Sequence, residues 1–386
     1  MKTIKKIVFG IFIGTLTVSC VGCGGSKSTA DSSDEKNISG DTISNQPVCE
    51  NTAIKGAEAY DQDDINEHTF TYGHINAAGN GHDVAGKVLS DILSQKTDGK
   101  MRVEVYDSGQ LGTDESMKSD CISGSLDFYS GNISSFQTLV PEVAAFDMPF
   151  FYDDLDEFHK YLLDNEELFD EMSGLMEDAG FKLLKWQGIG WRQLSTNREI
   201  TGPDSIRGMA LRIPTVDSYI AIWQALGAST TAINSNELFL ALQQGMVEAQ
   251  ENPYDAIYTY GFGEVQKYVT NSKHLPYFQQ VVMSLDNFDK LTETEQQVIM
   301  DAGEEMAGYV DDWAEKAQDY YLQALQDEYG MTFIDFDDIE GMRETLREET
   351  FEPVYNNIKK GIKNNGGDPN FLDRYVRDIR GFELPS

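Results

Sequence analysis

Arg192, Arg212 and Asn252 are the residues of this 386-residue chain whose types and spacing bear most directly on chemistry. Arg192 follows Gly190-Trp191. Arg212 stands in Met209-Ala210-Leu211-Arg212-Ile213, a strand-like run that stops at Pro214. Asn252 ends Gln250-Glu251-Asn252, again just before a proline, Pro253. Ligands of α/β lobes gather at the carboxyl ends of strands. A guanidinium placed there grips a carboxylate with two parallel, charge-assisted N–H bonds. Each hydrogen bond to a charged group contributes roughly 1.5 to 3 kcal/mol. Two arginines and an amide, with apolar contacts, therefore reach about 8 kcal/mol, the micromolar range. The residues alone divide Arg212 evenly between this role and an internal ion pair.

No group follows that would act on a captured acid. Gly81-His82-Asp83-Val84-Ala85-Gly86-Lys87-Val88 comes close to a phosphate-binding loop, but Val88 lacks the hydroxyl that magnesium needs. His74, His82, His159 and His274 are scattered, with none at metal-ligand spacing. There is no Gly-x-Ser-x-Gly elbow. The reading is a non-enzymatic binding protein without cofactor or metal; a secreted enzyme and the input module of a sensor are the competing classes.

The elements that would position these residues alternate between strand and helix. His68 to Ala77, Met101 to Tyr106 and Leu126 to Tyr129 read as strands, as do Ala144 to Phe151 and Lys182 to Trp186. Between them lie helices at 81–97, 113–124, 154–164 and 166–179. From Gly190 a second alternation begins, with strands at 209–213, 247–251 and 280–284 and helices at 217–226 and 235–244. This is an α/β chain with largely parallel sheets, in two lobes, because roughly 320 residues exceed one small core. Thr292 and Glu295 form a capping box, and apolar residues recur every three or four positions to about Tyr329. That predicts one long helix, or two broken near Gly303 or Gly308. Helices at 338–365, with a bend near Pro353, and at 368–380 close the chain.

Residues 1–22 have the form of a lipoprotein signal peptide: Lys2, Lys5 and Lys6, then an apolar run from Ile7 to Val18 too short to span a bilayer. Cys23, followed by Gly24-Gly25-Ser26, is the favoured lipid attachment point, with Cys20 as competitor. Residues 23–65, polar and without periodicity, read as a flexible tether. The expected location is extracytoplasmic, lipid-anchored to the cell membrane. The formal charge is −35. It excludes a basic nucleic-acid footprint and leaves an anionic ligand to be held by local contacts, since distant charge is screened beyond about 8 Å.

Eight ordered stretches carry a resemblance: Ser108 to Gly112, Gly124 to Phe128, Pro141-Glu142 with Phe146 to Phe150, Arg207 to Pro214, Ala225 to Ala228, Glu237 to Gly245, Gln250 to Pro253 and Glu264 to Tyr268. In these the chain resembles the solute-binding proteins of tripartite ATP-independent periplasmic (TRAP) transporters. The resemblance implies a two-lobed, periplasmic-binding-protein-like flytrap fold with crossover strands and a long helix spanning both lobes. Residues 66–189 with 278–317 would form one lobe, and 190–277 with 318–386 the other. It implies a monomer that captures a small organic acid in the cleft and delivers it to membrane permease subunits. Sugar acids are favoured, with four-carbon dicarboxylates second. Arg212 matches the carboxylate-gripping arginine; Arg192 and Asn252 match residues that share the task. Asp114, Asn132 and Gln279 match positions that touch the sugar in sialic-acid binders. His74 and Trp191 complete the candidates, Trp191 with core packing as its competing role. Asn132 replaces a glutamate usual in sialic-acid binders, which speaks against sialic acid itself. Ser229 to Ala232, without the usual prolines, and Glu248-Ala249 are further departures.

Overall fold

In the computed structural model, residues 56–336, 339 and 341–380 are described. The signal segment, both candidate lipidation cysteines and residues 23–55 of the expected tether lie outside them; residues 56–65 instead pack on the domain, with Tyr60 OH donating to Asp301 Oδ2 at 2.8 Å and Ile65 buried.

The chain opens with β1 (His68–Gly73) and α1 (Gly81–Lys96), whose first turn is capped by the Asn80 side chain. Val88, Leu89, Ile92 and Leu93 of α1 are buried, the stripe expected of a helix lying on a sheet. β2 (Met101–Tyr106), α2 (Asp114–Ile122) and β3 (Phe128–Asn132) follow. The expected strand at 144–151 does not form. Pro141–Asp147 is instead a 3-10 turn with every side chain buried. Pro141 at its first position presets φ and supplies no N–H to a ladder, which favours a turn.

After α3 (Glu166–Asp178) comes the first long strand, β4 (Phe181–Thr196). The other lobe then contributes β5 (Ala210–Ile213), α4 (Asp217–Ala225), β6 (Ser229–Ala232), α5 (Ser235–Gln243), β7 (Ala249–Asn252) and α6 (Tyr254–Thr259). The second long strand, β8 (Tyr268–Ser284), returns across both lobes. The sheet order is β2-β1-β3-β8-β4-β7-β5-β6, with β9 (Thr332–Asp335) beside β8. β1 pairs in parallel with β2 and β3, and β5 with β6 and β7. β4 and β8 run antiparallel from Phe181↔Ser284 to Thr196↔Tyr268. The structure thus extends both strands well beyond the sequence expectation. Gly188 and Gly190, which look like breakers, sit at a register slip inside β4. Pro276, which also looks like a break, faces Trp191 beside that slip.

α7 (Glu293–Asp327) is one continuous helix of 35 residues, about 52 Å long. Its capping box is formed as expected: Glu295 N–H donates to Thr292 Oγ1 at 3.1 Å, and Thr292 N–H to Glu295 Oε2 at 2.9 Å. Gly303 does not break it. A Cβ there would stand 2.9 Å from Leu184, so this glycine lets α7 lie close against β4. α8 (Met342–Asn364) contains Pro353, and α9 (Pro369–Arg380) ends the described chain. One apolar core gathers Phe146, Trp186, Phe278, Phe371 and Tyr375. The other lies under α1 and α7, around Leu89, Ile92, Met306, Val310 and Tyr321.

Candidate functional site

A cavity lies where β3, β5 and β7 end and β4 crosses between the lobes. Its empty volume, counted out through the open mouth, is about 680 Å³. Arg192, Arg212, Asn252, Asp114 and Asn132 all line it. Gln279, His74 and Trp191 are not on its wall.

The two arginines are treated differently. Arg192, buried, stacks 5.1 Å from the ring centres of both Tyr219 and Tyr277. Its Nε and Nη2 donate to the Glu251 carboxylate, Nη2 also to Glu251 O at 2.8 Å and to Asn252 Oδ1 at 3.2 Å. Burial opposes its charge, but Glu251 holds its pKa above the ordinary value. Burial would likewise raise the Glu251 carboxyl; Arg192 and the His274 hydrogen bond hold it lower. His274 Nε2–H donates to Glu251 at 3.1 Å, and burial keeps that imidazole below its usual range. Arg192 is therefore a charge already answered.

Arg212 is 1% exposed. Its Nε donates to Ile233 O at 2.7 Å and its Nη2 to Ser235 Oγ at 3.3 Å. Among the described residues it has no carboxylate at ion-pair distance. Burial pushes its pKa down to about 10, against the attraction of Glu251 and with the repulsion of Arg192. A guanidinium desolvated and held by neutral acceptors is a cation prepared for an anion.

The opposite wall is acidic and polar. Asp114, the first residue of α2, pairs with Lys118 at 2.6 Å and accepts from the Tyr129 hydroxyl. Glu115 beside it is exposed at the mouth. Asn132 Nδ2 donates to Tyr219 OH at 3.0 Å, and Ser135 completes the wall. Tyr219 belongs to α4, so this bond crosses the cleft. So does Tyr260 OH, which donates to Asn76 Oδ1 at 3.1 Å and Ile75 O at 3.3 Å.

The remaining candidates stand behind the wall. Gln279 is buried and donates to Gly81 O and Gln187 Oε1. His74, fully buried, lies 3.9 Å from Asp83, and desolvation lowers its pKa to about 4. Its neighbours Ile75 and Asn76 line the cavity instead. Trp191 packs in the core with Arg343 over its ring. Sequence reasoning passed over Glu251, Tyr219, Tyr277 and Ser235. Glu251 could be singled out only through the pairing of its strand with that of Arg192. Among the described residues no group of three or more His, Cys, Asp or Glu could hold a metal.

Two half-sheets joined by crossover strands, with an unpaired buried cation in the cleft between them, define a two-lobed solute-binding protein. The chain belongs to the bacterial extracellular solute-binding proteins, family 7, whose profile matches residues 72–360. It is a TRAP-type extracytoplasmic binding protein for small organic acids that works with membrane permease subunits, and not an enzyme. A solute-binding protein of Roseobacter denitrificans is 29% identical over 282 residues, 70% of this chain and 82% of that protein. Its crystal structure with bound L-galactonate has a TM-score of 0.70 at 25% identity, covering 82% of this chain and 99% of that one. The sugar acid binding protein of Advenella mimigardefordensis, in complex with galactonate, gives 0.74 at 26% identity, with 82% and 99% covered. The sialic acid-binding periplasmic protein of Vibrio cholerae is 26% identical over 284 residues, 72% of this chain and 84% of that protein.

Proposed function

We propose that this protein captures a sugar monocarboxylate. The observation that carries the reading is the charge layout of the cavity. Arg192 is neutralised by Glu251 and Asp114 by Lys118, which leaves Arg212 on one wall and Glu115 on the other. One carboxylate meets Arg212, with Arg192 and Asn252 as neighbours. A second carboxylate would face Glu115, a like-charge arrangement that costs affinity. Hydroxyls suit that wall, because carboxylates accept their protons and Asn132 and Ser135 exchange hydrogen bonds with them. The galactonate complexes of the two relatives support the same ligand class. A four-carbon dicarboxylate, the competing ligand, fits this layout worse.

Capture proceeds by lobe closure. Contacts made only when the lobes meet shift the open–closed balance, and the Asn132–Tyr219 and Tyr260–Asn76 bonds are of that kind. The register slip between Gly188 and Gly190 supports a lobe boundary at 189/190, and its partner region in β8 supports one at 277/278. Gln279, His74 and Trp191 act from behind the wall as packing and backbone supports. The mature chain is a monomer held to the outer face of the membrane by lipid on Cys23, with the residues from 23 up to the packed segment at 56–65 as its tether, and it hands the acid to its permease.

The test is a thermal-shift and calorimetric comparison of D-galactonate, D-glucuronate, sialic acid and succinate. A sugar monocarboxylate should stabilise most, by about 2.7 kcal/mol at a hundred times its Kd. Succinate as the tightest ligand would overturn the reading.

A further inference from the structure

The crossover that carries Arg192 has an unusual mooring. At the slip between Gly188 and Gly190, Gly190 has φ +120° and a Cβ there would stand 2.8 Å from the Gln318 side chain. At Gly188 a Cβ would stand 2.9 Å from Leu163 and 3.4 Å from the His159 ring. Two side chains of α7 grip this backbone from turns about 10 Å apart. Gly188 N–H donates to Asp311 Oδ1 at 2.8 Å, and Gln318 Nε2 donates to Ile189 O at 2.5 Å. The grip borders an open recess, separate from the ligand cavity, whose empty volume counted out through its mouth is about 1380 Å³.

We propose that Asp311 and Gln318 are positioning residues for ligand capture: they set the bend of β4 at Gly188–Gly190, and proton uptake at Asp311 biases that bend. The proposal rests on the lobe-closure reading above. It places control of affinity on a helix that touches no ligand.

The groups facing Asp311 come from every element around it. Asp312 and Glu315 lie on its own helix, Lys185 on β4, Asp156, His159 and Lys160 on the short helical segment Leu155 to Leu163 before α3, and Asp164 just after it. Lys185 is tied to Glu304 at 2.7 Å. Burial, with the charges of Asp164 and Asp312, raises the Asp311 carboxyl to about 7, against the opposing effects of the Gly188 N–H and Lys185. A bend that admits water returns it toward the ordinary range near 3.9. The gripped conformation therefore holds a proton that the bent one releases, so acid favours the gripped form and rising pH through about 7 withdraws the bias. In the gripped form the lobes touch across the cleft, so capture tightens as the pH falls.

The experiment follows the Gly188 amide proton by NMR on the full chain between pH 5.5 and 8.5. It adds calorimetry with D-galactonate at pH 6 and 8 for wild type, Asp311→Asn and Gln318→Ala. The Gly188 resonance should titrate near pH 7 in wild type and lose that transition in Asp311→Asn. Wild-type affinity should be about fivefold tighter at pH 6, Asp311→Asn should keep the tighter value at pH 8, and Gln318→Ala should bind more weakly at both. A Gly188 resonance that does not titrate, or an Asp311→Asn profile superimposable on wild type, would overturn the proposal. Absence of D-galactonate binding at both pH values would count against the sugar-acid reading, while the ligand-free Gly188 titration still decides the hinge.

Discussion

Arg192 and Arg212 sit twenty residues apart, both buried and both lining one cavity, Arg192 within the crossover strand β4 and Arg212 at the end of β5, and the fold gives them opposite electrostatic fates. Arg192 is enclosed by Glu251, His274, Tyr219 and Tyr277. Arg212 is held by a carbonyl and a hydroxyl. A cation with its counter-charge in place organises structure; one held only by neutral acceptors is costly until an anion arrives. On the proposed reading Arg192 braces the cleft beside the ligand and Arg212 meets the ligand's charge.

Breaking the paired side should have the largest effect. Glu251→Gln strands a buried guanidinium, and urea unfolding should record a loss of about 3 to 5 kcal/mol. A loss within experimental error would mean that Arg192 does not depend on its partner. On the unpaired side, Arg212→Ala should weaken D-galactonate binding about a hundredfold, the value of two charge-assisted hydrogen bonds. Its melting temperature should change little, because the fold loses no ion pair. Next in size, Glu115→Gln should narrow the preference for D-galactonate over succinate by roughly threefold, since it relieves repulsion at the far wall. Competition calorimetry would read it, and an unchanged ratio would mean that this wall does not select.

The smallest effect concerns Asp147, which accepts from Ser134 Oγ at 2.6 Å and Ser218 Oγ at 2.5 Å, joining the turn after β3 to α4. Burial raises its carboxyl to about 7, despite both serines and Arg192. A carboxyl raised on folding contributes stability that is full below its ordinary range near 3.9 and lost as pH rises through about 7. Unfolding free energy should therefore fall from pH 5 to 7 in wild type and fall less steeply in Asp147→Asn. Equal slopes would remove Asp147 from the account.

Much of this was legible in the chain. Arg212 and Asn252 were visible because prolines end their strands, and α7 because a capping box opens an unbroken apolar stripe. The crossover strands were only half legible. Gly188, Gly190 and Pro276 look like breaks one by one, yet in register they form a single irregularity that antiparallel pairing tolerates. The fates of the two arginines were hidden for a different reason. Carboxylates are so abundant here that Glu251 carried no signal until the β4–β7 pairing brought it to Arg192. Gln279 matched a cleft position by resemblance and His74 was a weaker candidate, but neither lines the cavity, because local packing buries both beside it.

The central claim is that Arg212 recognises the ligand's charge. The most direct measurement is a four-way calorimetric cycle of wild type and Arg212→Ala against D-galactonate and its neutral amide, D-galactonamide. Wild type should prefer the acid about a hundredfold, and Arg212→Ala should bind both equally weakly. A variant that still prefers the acid by the wild-type margin would place charge recognition elsewhere and contradict the account.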